Sequence, residues 1–161
     1  MFPMKVVGRN QYFPKAAFAI IVVNLLVFLW ELSVGSQGRS FLDAALKDYG
    51  LEVCKVGIQP FGTTVLDTFR SLFLHDSAGH VLANMWFLFL FGGLVEKFIG
   101  SVKFVALYIV FGYIATTAHV ILGSITCTDT NTGVVIGASG SIAGVMGAFF
   151  FLSPNAKVRT L

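Results

Sequence analysis

Charge is what this sequence lacks. Only 12% of its 161 residues are Asp, Glu, Lys or Arg, while 56% are hydrophobic and 17 are Phe. Soluble domains carry about 25% charged residues, roughly twice as many. So apolar a composition excludes a disordered chain, and a soluble monomer built from it would expose enough apolar surface to aggregate. Two cysteines, Cys54 and Cys127, are too few for a disulfide framework. The histidines lack the cysteine or carboxylate company of a zinc site, and no phosphate loop or nucleotide fingerprint occurs, so neither metal nor cofactor is expected. The net charge of +3 is scattered rather than clustered, which argues against a nucleic-acid partner. Strict apolar–polar alternation, the mark of membrane barrel strands, is missing too.

What is there in quantity is long apolar sequence, with a mean hydropathy of +0.82. Four stretches stand out, at about 16–34, 80–99, 103–123 and 137–153. Each is near the length at which a helix crosses about 30 Å of hydrocarbon. The fold class expected is an all-α integral membrane protein, a polytopic helix bundle forming a single domain over 1–161. Lys5, Arg9 and Lys15 precede the first stretch as they would a signal peptide. Its apolar core is longer than a usual signal, and no small-x-small cleavage pattern follows, so a retained signal-anchor is expected.

Lys and Arg set the sidedness. With four spans, Lys5, Arg9, Lys15, Lys97, Lys103, Lys157 and Arg159 share one side, against Arg39, Lys47, Lys55 and Arg70 in a long first loop on the other. Both termini are therefore expected in the cytoplasm, with the protein in a plasma or inner membrane. The loop from about Gly35 to Gly79 is too long for a simple connector. Its stretches FLDAALKDYGL and VLDTFRSLFLH mix apolar residues at helical spacing with charges. Such segments lie in the membrane interface, so a partly embedded outer loop is expected between spans 1 and 2.

Polar residues inside a span are costly and mark function by default. His80 and Asn84 are one helical turn apart at the outer end of the second span, with His75 just before it. The fourth span also begins on the outer side, with Gly137-Ala138-Ser139-Gly140, so Ser139 shares the depth of His80 and Asn84. Gly140 and Gly144 form a small-xxx-small face that admits another helix backbone. A serine held there beside imidazoles and an amide suits acyl transfer. The hydroxyl would be the nucleophile, and Asn84, His80 and backbone N–H groups would be donors to an oxyanion.

The order His75-xxxx-His80-xxx-Asn84-Met85, then Gly92-Gly93-xx-Glu96, then Gly137-x-Ser139-Gly140-xxx-Gly144 resembles the rhomboid family of intramembrane serine proteases. Phe69-Arg70 is similar to that family's Trp-Arg pair, with Phe in place of Trp. The resemblance implies Ser139 as nucleophile and His80 and Asn84 in the oxyanion hole, with His75, Gly137 and Gly140 supporting the site. It also implies structural roles for Arg70, Glu96 and Gly144. The partners it implies are the lipid bilayer and transmembrane protein substrates, cut near the outer boundary. Members of the basic type have six spans, and a histidine on the sixth serves as base. Only four of the six are expected in a chain ending at Leu161. We therefore expect a C-terminally incomplete domain that needs the missing helices, or else a protease-dead relative that binds membrane clients without cutting them. His119, near the outer end of the third span, reads as an interfacial histidine rather than a replacement base. A third reading, a transporter or channel subunit, would depend on Asn24 or Glu96. A disulfide between Cys54 and Cys127 is left open: both fall in outer loops under this topology.

Overall fold

A chain in hydrocarbon must satisfy its backbone polar groups internally, and the apolar runs here do so as α-helices. The computed structural model describes residues 12–33, 48–123, 127 and 133–156, with the backbone alone at 3–6, 34–35 and 158–160. The elements are β1 (Pro3–Val6), α1 (Lys15–Gly35), β2 (Leu51–Glu52), α2 (Phe61–Ser71), α3 (Ala78–Phe87), α4 (Gly93–Ile99), α5 (Ser101–Gly123), β3 (Val134–Val135), α6 (Ser139–Leu152) and β4 (Val158–Thr160). A π-helical segment, Leu88–Gly92, joins α3 to α4 in one span. Among the described residues, three helices are long and apolar enough to cross a membrane: Lys15–Ser33, Ala78–Ile99 and Ser101–Gly123.

The fourth apolar stretch is shorter than expected. α6 has 14 residues, about 21 Å of helix at 1.5 Å per residue. Its start is set by Gly137, whose φ of +106° no helix contains, and Pro154 follows its end. Two small antiparallel strand pairs accompany the helices. β1 pairs with β4, bringing the two ends of the bundle's chain to the same side. β2 pairs with β3 in the loops at the opposite end.

The polar features of the helices are used to join them. Glu96, fully buried, accepts hydrogen bonds from the backbone N–H groups of Ala16 at 3.0 Å and Ala17 at 2.9 Å. These donors belong to the first turn of α1, which has no internal acceptors for them and carries partial positive charge. Ser101 Oγ donates to the same carboxylate at 2.6 Å and the Tyr12 hydroxyl at 3.3 Å. Deeper in, Asn24, Tyr108 and Ser141 are wholly buried, and the Tyr108 hydroxyl faces both of the others across α1, α5 and α6. Around them pack Phe91, Phe104, Val145 and Phe149, with the Phe91 and Phe149 rings 5.0 Å apart.

The first loop contains the amphipathic helix expected from VLDTFRSLFLH. In α2, Thr68 and Ser71 are buried while Phe61, Val65, Leu66 and Phe69 are exposed. The FLDAALKDYGL stretch lies mostly outside the described residues. Arg70 sits 3.7 Å from Asp67 and over the ring of Tyr49, at the rim of an apolar crevice formed with Val27 and Trp30. Cys54 and Cys127 are disulfide-bonded, which closes the alternative left open by the sequence.

α5 and α6 form the closest helix pair. A Cβ at Gly140 would stand 2.5 Å from the Ala115 Cβ, and one at Gly144 would overlap the Phe111 ring, whereas Gly147 has open space. Gly144→Val should therefore lower stability by about 1–3 kcal/mol through overpacking. Gly147→Ala should be neutral or slightly stabilising. Unfolding in detergent micelles measures both, and equal effects would contradict the packing described.

Candidate active site

Gly137 is where the site begins. Its backbone conformation is one that side-chain-bearing residues rarely adopt, and its N–H donates to the Ser71 carbonyl at 2.8 Å. That bond ties the entry of α6 to the end of α2. The bare Cα also leaves room for His80: a Cβ there would stand 2.9 Å from the ring's Cε1 and 3.0 Å from Nε2. The same point lies 3.8 Å from Ser139 Oγ. One glycine thus separates the serine from the imidazole.

Ser139 opens α6 and is exposed in a cavity of about 310 Å³. Its lining includes Asp76, His80, Thr116, His119, Gly137 and Gly140. The first-turn amides of α6 have no partner within their own helix, so they offer N–H groups and partial positive charge beside the hydroxyl. A serine hydroxyl, an imidazole, N–H donors and open volume therefore share one pocket. The His119 side chain, expected at the interface, is exposed and lines this same cavity.

His75 and Asn84 lie behind that wall, not in it. His75 is buried, and its Nδ1 donates to the Phe73 carbonyl at 3.1 Å, leaving Nε2 to accept from Asn84 Nδ2 at 3.1 Å. Its backbone N–H donates to the buried carboxylate of Glu31 at 3.1 Å, fixing this turn against α1. The His75 and His80 rings meet edge to face at 5.1 Å. Asn84 in this state supports His75 and does not line the cavity with Ser139. Arg70, Glu96 and Gly144 are not part of the cavity lining and make the contacts already described.

The sequence reading did not single out Asp76. Its Oδ1 receives the His80 Nδ1 hydrogen bond at 2.8 Å and one from Ser77 Oγ at 3.1 Å. Ser77 caps α3 by accepting from the His80 N–H at 3.2 Å. The spacing Asp76-xxx-His80, one turn apart at a helix start, was the signal available.

A sequence model of the Rhomboid domain matches residues 63–161. The chain belongs to the rhomboid family. Among curated rhomboid relatives, it is 33% identical over 96 residues to "Presenilin-associated rhomboid-like protein A, mitochondrial" of Danio rerio. That match covers 60% of this chain and 24% of the relative. It is 27% identical over 145 residues to "Rhomboid protein 1, mitochondrial" of Saccharomyces cerevisiae, covering 88% of this chain and 37% of the relative. This rhomboid chain thus spans between about a quarter and somewhat over a third of the length of those relatives.

Burial pushes the His75 imidazole down to about 4 from an ordinary 6.5, helped by the neighbouring His80 and opposed by the Phe73 carbonyl and Asp76. The fold thus favours neutral His75, matching the tautomer its hydrogen bonds require. Its contribution to stability is complete above pH 6.5 and is lost as pH falls from 6.5 towards 4, where only the unfolded chain takes the proton. Unfolding in micelles across that window should show this loss, and His75→Gln should flatten the slope. An unchanged slope in the variant would contradict a neutral buried His75.

Proposed function

We propose that this protein is an intramembrane serine endopeptidase that cuts transmembrane segments of other membrane proteins near the outer bilayer boundary. One observation carries the reading: Ser139 opens a glycine-packed helix into a cavity that it shares with His80 and Asp76. A serine attack on a peptide carbonyl creates negative charge on oxygen, and preorganised donors at that place lower the barrier. The α6 amides and the His80 ring are the donors within reach of such a charge. Asn84 would act through His75, or by turning towards the cavity when substrate enters. By the family resemblance the base is a histidine on a sixth span, and the activity is that of the protein carrying it.

The seven Lys and Arg residues flanking one side support a cytoplasmic N-terminus in a plasma or inner membrane. The Cys54–Cys127 disulfide supports an oxidising compartment on the other side, where the cavity opens. Substrates would reach Ser139 from the bilayer itself.

A second reading has its own support. Among the described residues, Ser139 Oγ has no hydrogen-bonded base, which suits a rhomboid-like protein that binds clients without cutting them. The protein expressed from its complete reading frame separates the two. On the protease reading, a serine-directed covalent inhibitor labels Ser139, and Ser139→Ala lowers cleavage of a transmembrane substrate by a factor of at least about 10³. Cleavage unaffected by Ser139→Ala would remove Ser139 as nucleophile. Client co-purification without cleavage or labelling would favour the second reading.

A further inference from the structure

His80 has a different neighbour on each edge of its ring. On one edge Nδ1 lies 2.8 Å from the Asp76 carboxylate. On the other, Cε1 and Nε2 lie against the bare Cα of Gly137, with Ser139 Oγ just beyond. Among the described residues, the remaining titratable groups around the ring are His75, packed edge to face at 5.1 Å, and His119 on the α5 wall of the cavity. An ionised carboxylate only accepts hydrogen bonds, so its partner nitrogen must carry the hydrogen. Partial burial raises Asp76, but its hydrogen bonds from His80 and Ser77 outweigh this and hold it below the usual carboxylate range. It therefore acts as an acceptor at any pH near neutral.

We propose that Asp76 is a positioning residue for the serine site, fixing both the ring orientation and the tautomer of His80 so that Nε2 faces Ser139. The proposal rests on the protease reading for its catalytic consequence, though not for the geometry. While the ring is neutral, Nε2 presents a lone pair to the cavity, able to orient the Ser139 hydroxyl or a water. When the ring is protonated, both nitrogens donate, and Nε2–H can meet an oxyanion while Asp76 balances the added charge. Asp76 itself neither gains nor loses a proton. A purely structural acid at a helix start would instead act on α3 through its N-terminal dipole, and it would leave the tautomer of His80 unspecified.

The test uses ¹⁵N-histidine NMR of the 161-residue chain in micelles, at alkaline pH where imidazoles are neutral, with His80 assigned from its loss in His80→Gln. The expected result is Nδ1–H in excess of Nε2–H at His80 by about tenfold. That excess should vanish in Asp76→Ala while the His75 and His119 signals stay in place, showing that the fold is kept. Predominant Nε2–H in the unaltered chain, or the same ratio in Asp76→Ala, would overturn the proposal. In the protein from the complete reading frame, Asp76→Ala should lower kcat by about tenfold or more with KM little changed, and Asp76→Glu should restore part of it. Unchanged kcat would overturn the catalytic consequence. If the unaltered protein held the tautomer yet cut no membrane substrate, the protease reading would fail while the hold of Asp76 on His80 stood.

Discussion

The close approach of α6 to α5 is the constraint on which the rest of this structure depends. Lipid tails are as apolar as leucine, so burial from water does not draw two spanning helices together; dispersion contacts and interhelical hydrogen bonds must. Gly140 and Gly144 remove the side chains that would hold the backbones apart, and Ala115 and Phe111 fill the space they leave. Gly112 contributes from the α5 side, since a Cβ there would stand 2.5 Å from Ser141 Oγ. With α6 held at that depth, its first residue, Ser139, is carried to the wall of the cavity. Ser139 is positioned by what its neighbours lack.

A second problem is solved by the same geometry. Polar groups are needed at the site but are costly in a bilayer unless paired. Several of those away from the cavity are paired: Glu96 takes up the orphan amides of α1, and Asn84, His75, Phe73 and Glu31 form a buried chain of hydrogen bonds. Those in the cavity are left available, with Ser139 and the α6 amides facing open volume.

Much of this was legible in the sequence. The apolar runs located all four bundle helices within a few residues, because twenty-odd apolar residues have few other uses. That His80 and Ser139 meet at one cavity agrees with the shared depth expected from sidedness. The shortness of α6 was not legible, since hydropathy is blind to the backbone twist that Gly137 imposes before Ser139. Nor was the division of labour between His80 and Asn84. Both lie on one helical face, yet His75 intercepts Asn84 because the turn before α3 folds back over it. The strand pairs are two or three residues long, too short for any periodicity to announce. Asp76 was overlooked because a single acid in a loop usually means a solvated surface, and only the turn capped by Ser77 brings its carboxylate to the His80 ring.

The outer loop belongs to the site as much as the helices do. Gly137 hangs from the Ser71 carbonyl at the end of α2, and Val53 N–H donates to the Gly133 carbonyl at 2.8 Å beside the β2–β3 pair. Residues 134–136, which follow, line the cavity directly before Gly137. The Cys54–Cys127 bridge adds a covalent tie across the same seam. A loop closed across 73 residues restricts the unfolded chain. Its effect on the fold is to keep the first loop and the α6 entry in register. The loop is long because it forms one wall of the cavity. The apolar face that α2 exposes, with Phe61, Val65, Leu66 and Phe69, suits a wall that borders a bilayer.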